Sequence, residues 1–121
     1  MIRWRAVCGV AAAALLAAAP GAHAHAFLDR ADPRVGSTVK VSPARVKLWF
    51  TERLEPAYST AQVLDEAGRQ VDGRDVRVDD SSHSLELSLP ALGPGRYRVI
   101  WRVLSVDTHV SSGDFTFRIS P

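Results

Sequence analysis

Gly95-Arg96-Tyr97-Arg98-Val99-Ile100-Trp101-Arg102-Val103 reads as a single strand. Tyr97, Val99, Trp101 and Val103 fall on one face, and Arg98, Ile100 and Arg102 fall on the other. A period of two is what a half-buried strand requires. Three further runs repeat it. Val46, Leu48 and Phe50 alternate with Lys47, Trp49 and Thr51; Leu85, Leu87 and Leu89 with Glu86 and Ser88; Phe115, Phe117 and Ile119 with Asp114, Thr116 and Arg118. Thr60–Leu64 is a weaker candidate that leads into the turn Asp65-Glu66-Ala67-Gly68. Between the runs stand Asp32-Pro33-Arg34-Val35-Gly36, Ser42-Pro43, Asp72-Gly73 and Gly93-Pro94-Gly95. Proline presets φ and glycine supplies positive φ, so these are turns by mechanism. Many short strands without helical periodicity predict an all-β, two-sheet Greek-key sandwich.

The first residues read differently. Arg3 and Arg5 precede an apolar run, 6–19, and Pro20-Gly21-Ala22-His23-Ala24 follows it. This is the pattern of a secretory signal peptide with an A-x-A cleavage site. The run is shorter than the roughly 20 residues a membrane span needs. Residues 1–24 are therefore expected to be a signal peptide and residues 25–121 a single mature domain. Cleavage within Ala24-His25-Ala26 would instead leave Phe27 first.

The composition, 46% hydrophobic and 23% charged, is that of a globular protein. Arg3 and Arg5 account for the whole formal charge of +2, so residues 25–121 are formally neutral. A phosphate-binding protein normally carries a basic stripe, and the absence of one here argues against nucleic acid as a partner. Cys8 and Met1 are the only cysteine and the only methionine, and both lie in the leader. The mature domain thus has no disulfide, thiolate nucleophile, zinc–thiolate cluster or thioether ligand.

What remains for chemistry is histidine and carboxylate. Cleavage after Ala24 makes His25 the first residue, whose α-amine and imidazole Nδ1 can close a chelate ring on one metal ion. The amine titrates near pH 7.7–8.0, low enough for a metal to displace its proton. Asp107 and His109, two residues apart, would point to one face of an extended segment. They sit where the long strand 96–106 ends. One amine, two imidazoles and one carboxylate suit Cu(II), although zinc can use the same donors. Without sulfur, the site is expected to favour cupric over cuprous ion. His83 reads as a solvated loop residue or a secondary metal contact. Trp49 and Trp101 read as packing, and Arg96, Arg98 and Arg102 as a solvated edge.

From His25 to Ile119 the sequence resembles the CopC-type periplasmic copper-binding proteins. The resemblance rests on His25-Ala26-Phe27-Leu28, the Asp32-Pro33-x-x-Gly36 turn, and Val46-Lys47-Leu48-Trp49-Phe50-Thr51-Glu52. It is most specific in the strand 95–102 and in Ser105-Val106-Asp107-Thr108-His109-Val110-Ser111-Ser112-Gly113-Asp114-Phe115-Thr116-Phe117. It implies an immunoglobulin-like β-sandwich with cupredoxin-like barrel topology, located in the periplasm and serving copper resistance or homeostasis. It also implies one Cu(II) per chain held by His25, Asp107 and His109, with Glu52 as a ligand or outer partner. A monomer is expected, and the implied partner is a copper-transporting inner-membrane protein of the CopD type. Val110 stands where the family commonly has proline. The methionines of the family's Cu(I) site are absent, which places the chain with the cupric-only branch.

Two other readings come from different classes. A terminal-histidine chelate also resembles the histidine brace of copper monooxygenases, but a domain this small leaves little room for an extended substrate surface. A metal-free interaction module is the third, because β-sandwiches host many functions.

Overall fold

The structure is a computed structural model that describes residues 26–121. The expected signal peptide, residues 1–24, and His25 lie outside the described residues. Eight strands follow in order: β1 (Leu28–Asp32), β2 (Thr38–Val39), β3 (Arg45–Phe50), β4 (Thr60–Leu64), β5 (Arg77–Val78), β6 (Ser84–Ser88), β7 (Gly95–Leu104) and β8 (Val110–Ile119). The only helical piece among the described residues is the 3-10 turn Pro56–Tyr58. No helix among them is long and apolar enough to cross a membrane.

The strands form two four-stranded sheets, ordered β1-β3-β6-β5 and β2-β8-β7-β4. All pairs are antiparallel except β2 with β8. The chain passes from one sheet to the other after each of the first four strands, and only β5–β6 and β7–β8 pair with their immediate successors. This is the expected two-sheet sandwich. Its core is the set of alternating residues read from the sequence. Val46, Leu48 and Phe50 of β3 and Leu85 and Leu87 of β6 face Tyr97, Val99 and Val103 of β7 and Phe115, Phe117 and Ile119 of β8. Burying such side chains contributes about 1.5–3 kcal/mol each.

β7 is an interior strand of its sheet, flanked by β8 and β4. Its arginines therefore line a solvated face and not a sheet edge. Arg98 Nε donates to Asp114 Oδ2 across the β7–β8 ladder at 2.7 Å. Trp49 packs outward under the Arg30 guanidinium, 4.1 Å from its ring centroid. Trp101 is partly buried between Phe50 and Phe115, with centroids 6.2 Å away in each case. Both tryptophans thus serve packing.

Gly113 lies opposite Trp101 in the ladder, and a Cβ there would run into the indole ring. Because two aromatic rings hem in that indole, Gly113→Ala is expected to cost about 1–3 kcal/mol through overpacking. Urea denaturation measures this, and an unchanged midpoint would mean that the ring yields freely.

Candidate metal centre

β7 and β8 pair over their full length, from Gly95 opposite Ile119 to Leu104 opposite Val110. Five residues, 105–109, connect them. Thr108 N donates to Ser105 O and Ser105 N donates to His109 O, both at 2.9 Å, which closes the connection as a tight turn. Thr108 takes φ of +73°, the left-handed conformation that this loop type needs after its turn. For a β-branched residue this stores about 1–3 kcal/mol of strain.

Asp107 and His109 meet because of this turn. The extended segment expected at 105–109 is not there, since β7 stops at Leu104. The pair still converges: His109 Nδ1 lies 3.5 Å from Asp107 Oδ1 and is shielded from solvent. Metal–nitrogen and metal–oxygen bonds run about 2.0–2.2 Å, so two donors on one ion lie within about 4 Å of each other. The observed separation meets that condition.

Ser105 orients the pair. Its side chain is fully buried, and its hydroxyl donates a short hydrogen bond to Asp107 Oδ1. The same hydroxyl lies 3.3 Å from His109 O and 3.4 Å from His109 N. The Ser105 hydrogen bond, aided by His109, holds the Asp107 carboxyl below its ordinary value. Asp107 is therefore an anion at any pH where imidazole is neutral. The sequence reading missed Ser105, although the Ser-x-Asp-x-His spacing was there to be seen.

Two other segments are tied to this end of the sandwich. Leu54 N donates to Ser82 O at 2.7 Å, Leu54 bridges to Ser105, and Val106 N donates to Arg53 O at 3.0 Å. Residues 51–55 thus stitch the two sheets together beside Asp107 and bring Glu52 to the same end. The second segment is the start of the described chain. Ala26 is buried, and its carbonyl accepts from Ser111 Oγ at 2.6 Å. Phe27 N donates to Thr51 Oγ1 at 3.0 Å, and Thr51 N donates to Phe27 O at 2.9 Å. Ala26 is thereby fastened two residues from His109.

Among the described residues, no three His, Cys, Asp or Glu side chains gather into a metal-holding group. Asp107 and His109 are a pair, and Glu52 does not close it into a triad. His83 stands exposed in its loop, its Nδ1 3.0 Å from Ser81 O, and takes part in no such group. Ser105→Ala is expected to leave the domain folded but to weaken metal binding about 10- to 100-fold, the usual effect of removing an outer hydrogen-bond partner. A competitive chelator titration measures this, and an unaltered affinity would remove Ser105 from the site.

Residues 28–120 match the family model described as the CopC domain. The chain belongs to the CopC family. Among CopC-related sequences, copper resistance protein C of Xanthomonas campestris pv. juglandis is 32% identical over 117 residues, covering 91% of each chain. Copper transport protein CutJ of Bacillus subtilis is 31% identical over 98 residues, which span 79% of this chain but 18% of that protein. The crystal structure of CopC from Methylosinus trichosporium OB3b superposes with a TM-score of 0.71 at 38% identity. That match covers 80% of this chain and 95% of the other.

Proposed function

We propose that the processed protein begins at His25 and is a periplasmic Cu(II) carrier or buffer, not an enzyme, with residues 1–24 removed as a signal peptide. The observation that carries this reading is the anchoring of Ala26 at Ser111 beside the converging Asp107–His109 pair. An amide bond joins His25 to Ala26, and successive Cα atoms are 3.8 Å apart. A free amine and imidazole directly ahead of Ala26 would belong to the same end of the sandwich as the pair. Glu52, on the neighbouring loop, is assigned an outer role.

Copper is the cargo. One amine, two imidazoles and the Asp107 carboxylate supply three neutral nitrogens and one anionic oxygen, leaving a bound Cu(II) with net charge near +1. Nitrogen and oxygen donors without sulfur favour the cupric ion. A charged carboxylate among four donors suits retention of the metal more than oxygen activation, which favours a carrier over an oxidase. One ion per monomer is expected. The implied partner is a membrane copper transporter, a reading supported by CutJ, in which a segment like this chain is a small part of a copper transport protein.

Electron paramagnetic resonance of the processed protein with one equivalent of Cu(II) tests the assignment. Three-nitrogen, one-oxygen coordination that is lost in His109→Ala is expected. A spectrum that His109→Ala leaves untouched would remove His109 from the site, and failure of the processed protein to bind Cu(II) would favour the metal-free module.

A further inference from the structure

At the end of the β7–β8 ladder away from Asp107 and His109, two arginines stand directly opposite each other: Arg96 of β7 and Arg118 of β8. Arg118 N donates to Ser37 O and Arg96 N donates to Glu66 Oε1, both at 2.9 Å, so the two backbones turn their polar groups away from each other. Theirs is therefore a non-hydrogen-bonded pair, the kind whose Cα atoms are about 4.5 Å apart and whose side chains stand closest. Like charges so placed destabilise a sheet. Nearby arginines are neutralised, Arg98 by Asp114 at 2.7 Å and Arg69 by Asp65 at 2.9 Å. Among the described residues, neither Arg96 nor Arg118 makes an ion pair.

Both arginines line a cleft of about 140 Å³, with Gly36, Ser37, Thr38 and Thr116 among its other walls and no carboxylate in its lining. Its backbone is fixed, since Gly36 N donates to Thr116 O at 2.8 Å and Thr38 is in register with Arg118. On the β4 side the same arginines border a wider groove of about 560 Å³, but Asp65 and Glu66 line that one and would repel an anion. We propose that Arg96 and Arg118 clamp a phosphate monoester in the small cleft, with the Thr38 and Thr116 hydroxyls as further donors. A guanidinium fork matches the oxygens of a phosphoryl group, and two cations facing one space match its charge of about −1.5 to −2. A carboxylate carries one charge and would leave the second guanidinium unmatched. The cleft lies about 25 Å along β7 from the metal pair, at roughly 3.3 Å per residue, so this inference stands apart from the carrier reading.

The test presents the monoester in two forms to the metal-free processed protein. Glycerol 3-phosphate is titrated while backbone amide resonances are followed. Vesicles of phosphatidylcholine, with and without phosphatidic acid, carry the same group on a membrane and are read by co-sedimentation. Saturable shifts are expected at Ser37, Thr38, Thr116 and Arg118. Arg96→Gln with Arg118→Gln is expected to weaken binding at least about fivefold, and Arg102→Gln, on the same face but outside the cleft, to leave it unchanged. Because the double variant relieves the like-charge pair, its melting temperature without phosphate should equal or exceed that of the wild type. Glycerol 3-phosphate should then raise the melting temperature of the wild type more than that of the variant, since general salt effects act on both alike. Binding of the soluble compound alone assigns a free monoester, and sedimentation only with phosphatidic acid assigns a lipid headgroup; either supports the clamp. A response to neither, equal binding by the wild type and the double variant, or an equal loss in Arg102→Gln would overturn it. So would acetate that binds as tightly as glycerol 3-phosphate.

Discussion

A processed protein whose His25 amine is acetylated is expected to bind Cu(II) more than about 100-fold more weakly than one with a free amine at His25. Loss of an outer partner alone costs 10- to 100-fold, and acetylation removes a donor to the ion itself. It turns the amine into an amide, opens the chelate ring, and leaves Asp107, His109 and a lone imidazole to hold the ion. Nothing in the sandwich is disturbed, because the anchors at Ser111 and Thr51 act on Ala26 and Phe27. The pH profile separates this from a general weakening. Protons compete with metal for amine and imidazole, so affinity should rise steeply from pH 6 to pH 8, and the acetylated protein should lose the part of that slope due to the amine. Asp107 adds no slope in this window. Its pKa is held down by Ser105 and then by His109, so its charge is present throughout and is lost only as pH falls through the lowered value. Competition titration against a chelator at several pH values gives both quantities. Equal affinity of the two proteins would remove the amine from the site.

Phe117→Ala is expected to produce the largest loss of stability, about 3–5 kcal/mol. Phe117 is 1% exposed and stacks on Tyr97 with ring centroids 5.6 Å apart, in the middle of the facing sheets. Deleting the ring leaves a cavity lined by rigid strands that have little room to collapse. A domain of this size holds about 5–15 kcal/mol in total, so the loss is a large share of it. With Cys8 the only cysteine of the chain, no disulfide within the chain offsets it. A fall in melting temperature of at least about 15 °C should appear in calorimetry, with Phe117→Leu much milder. Added Cu(II) should recover part of the loss, because an ion bound only by the folded state stabilises it. A fall of a few degrees would mean that the core repacks around the gap.

The strands that were legible in the sequence are those with alternating burial. β3, β6, β7 and β8 each place apolar residues at every second position, and the structure buries those faces. β1, β2 and β5 were not legible. Leu28–Asp32 buries only Ala31 fully, and the other two strands have two residues each, too few for a period to show. Their pairing comes from neighbours already in place, as in the bond of β2 to the far end of β8. Asp107 and His109 were visible as a pair, but through a strand geometry that the turn at Thr108 replaces.

By itself the sequence determined the all-β class and the core-facing residues of the long strands, and it suggested the donors of the proposed site: two imidazoles, a carboxylate and an amine, without sulfur. These follow from side-chain chemistry and from the period of a strand, both of which are local. Only the tertiary structure decided that Ser111 holds the carbonyl of Ala26, 85 positions away, next to His109. That meeting depends on how one sheet lies over the other, and no local pattern encodes it.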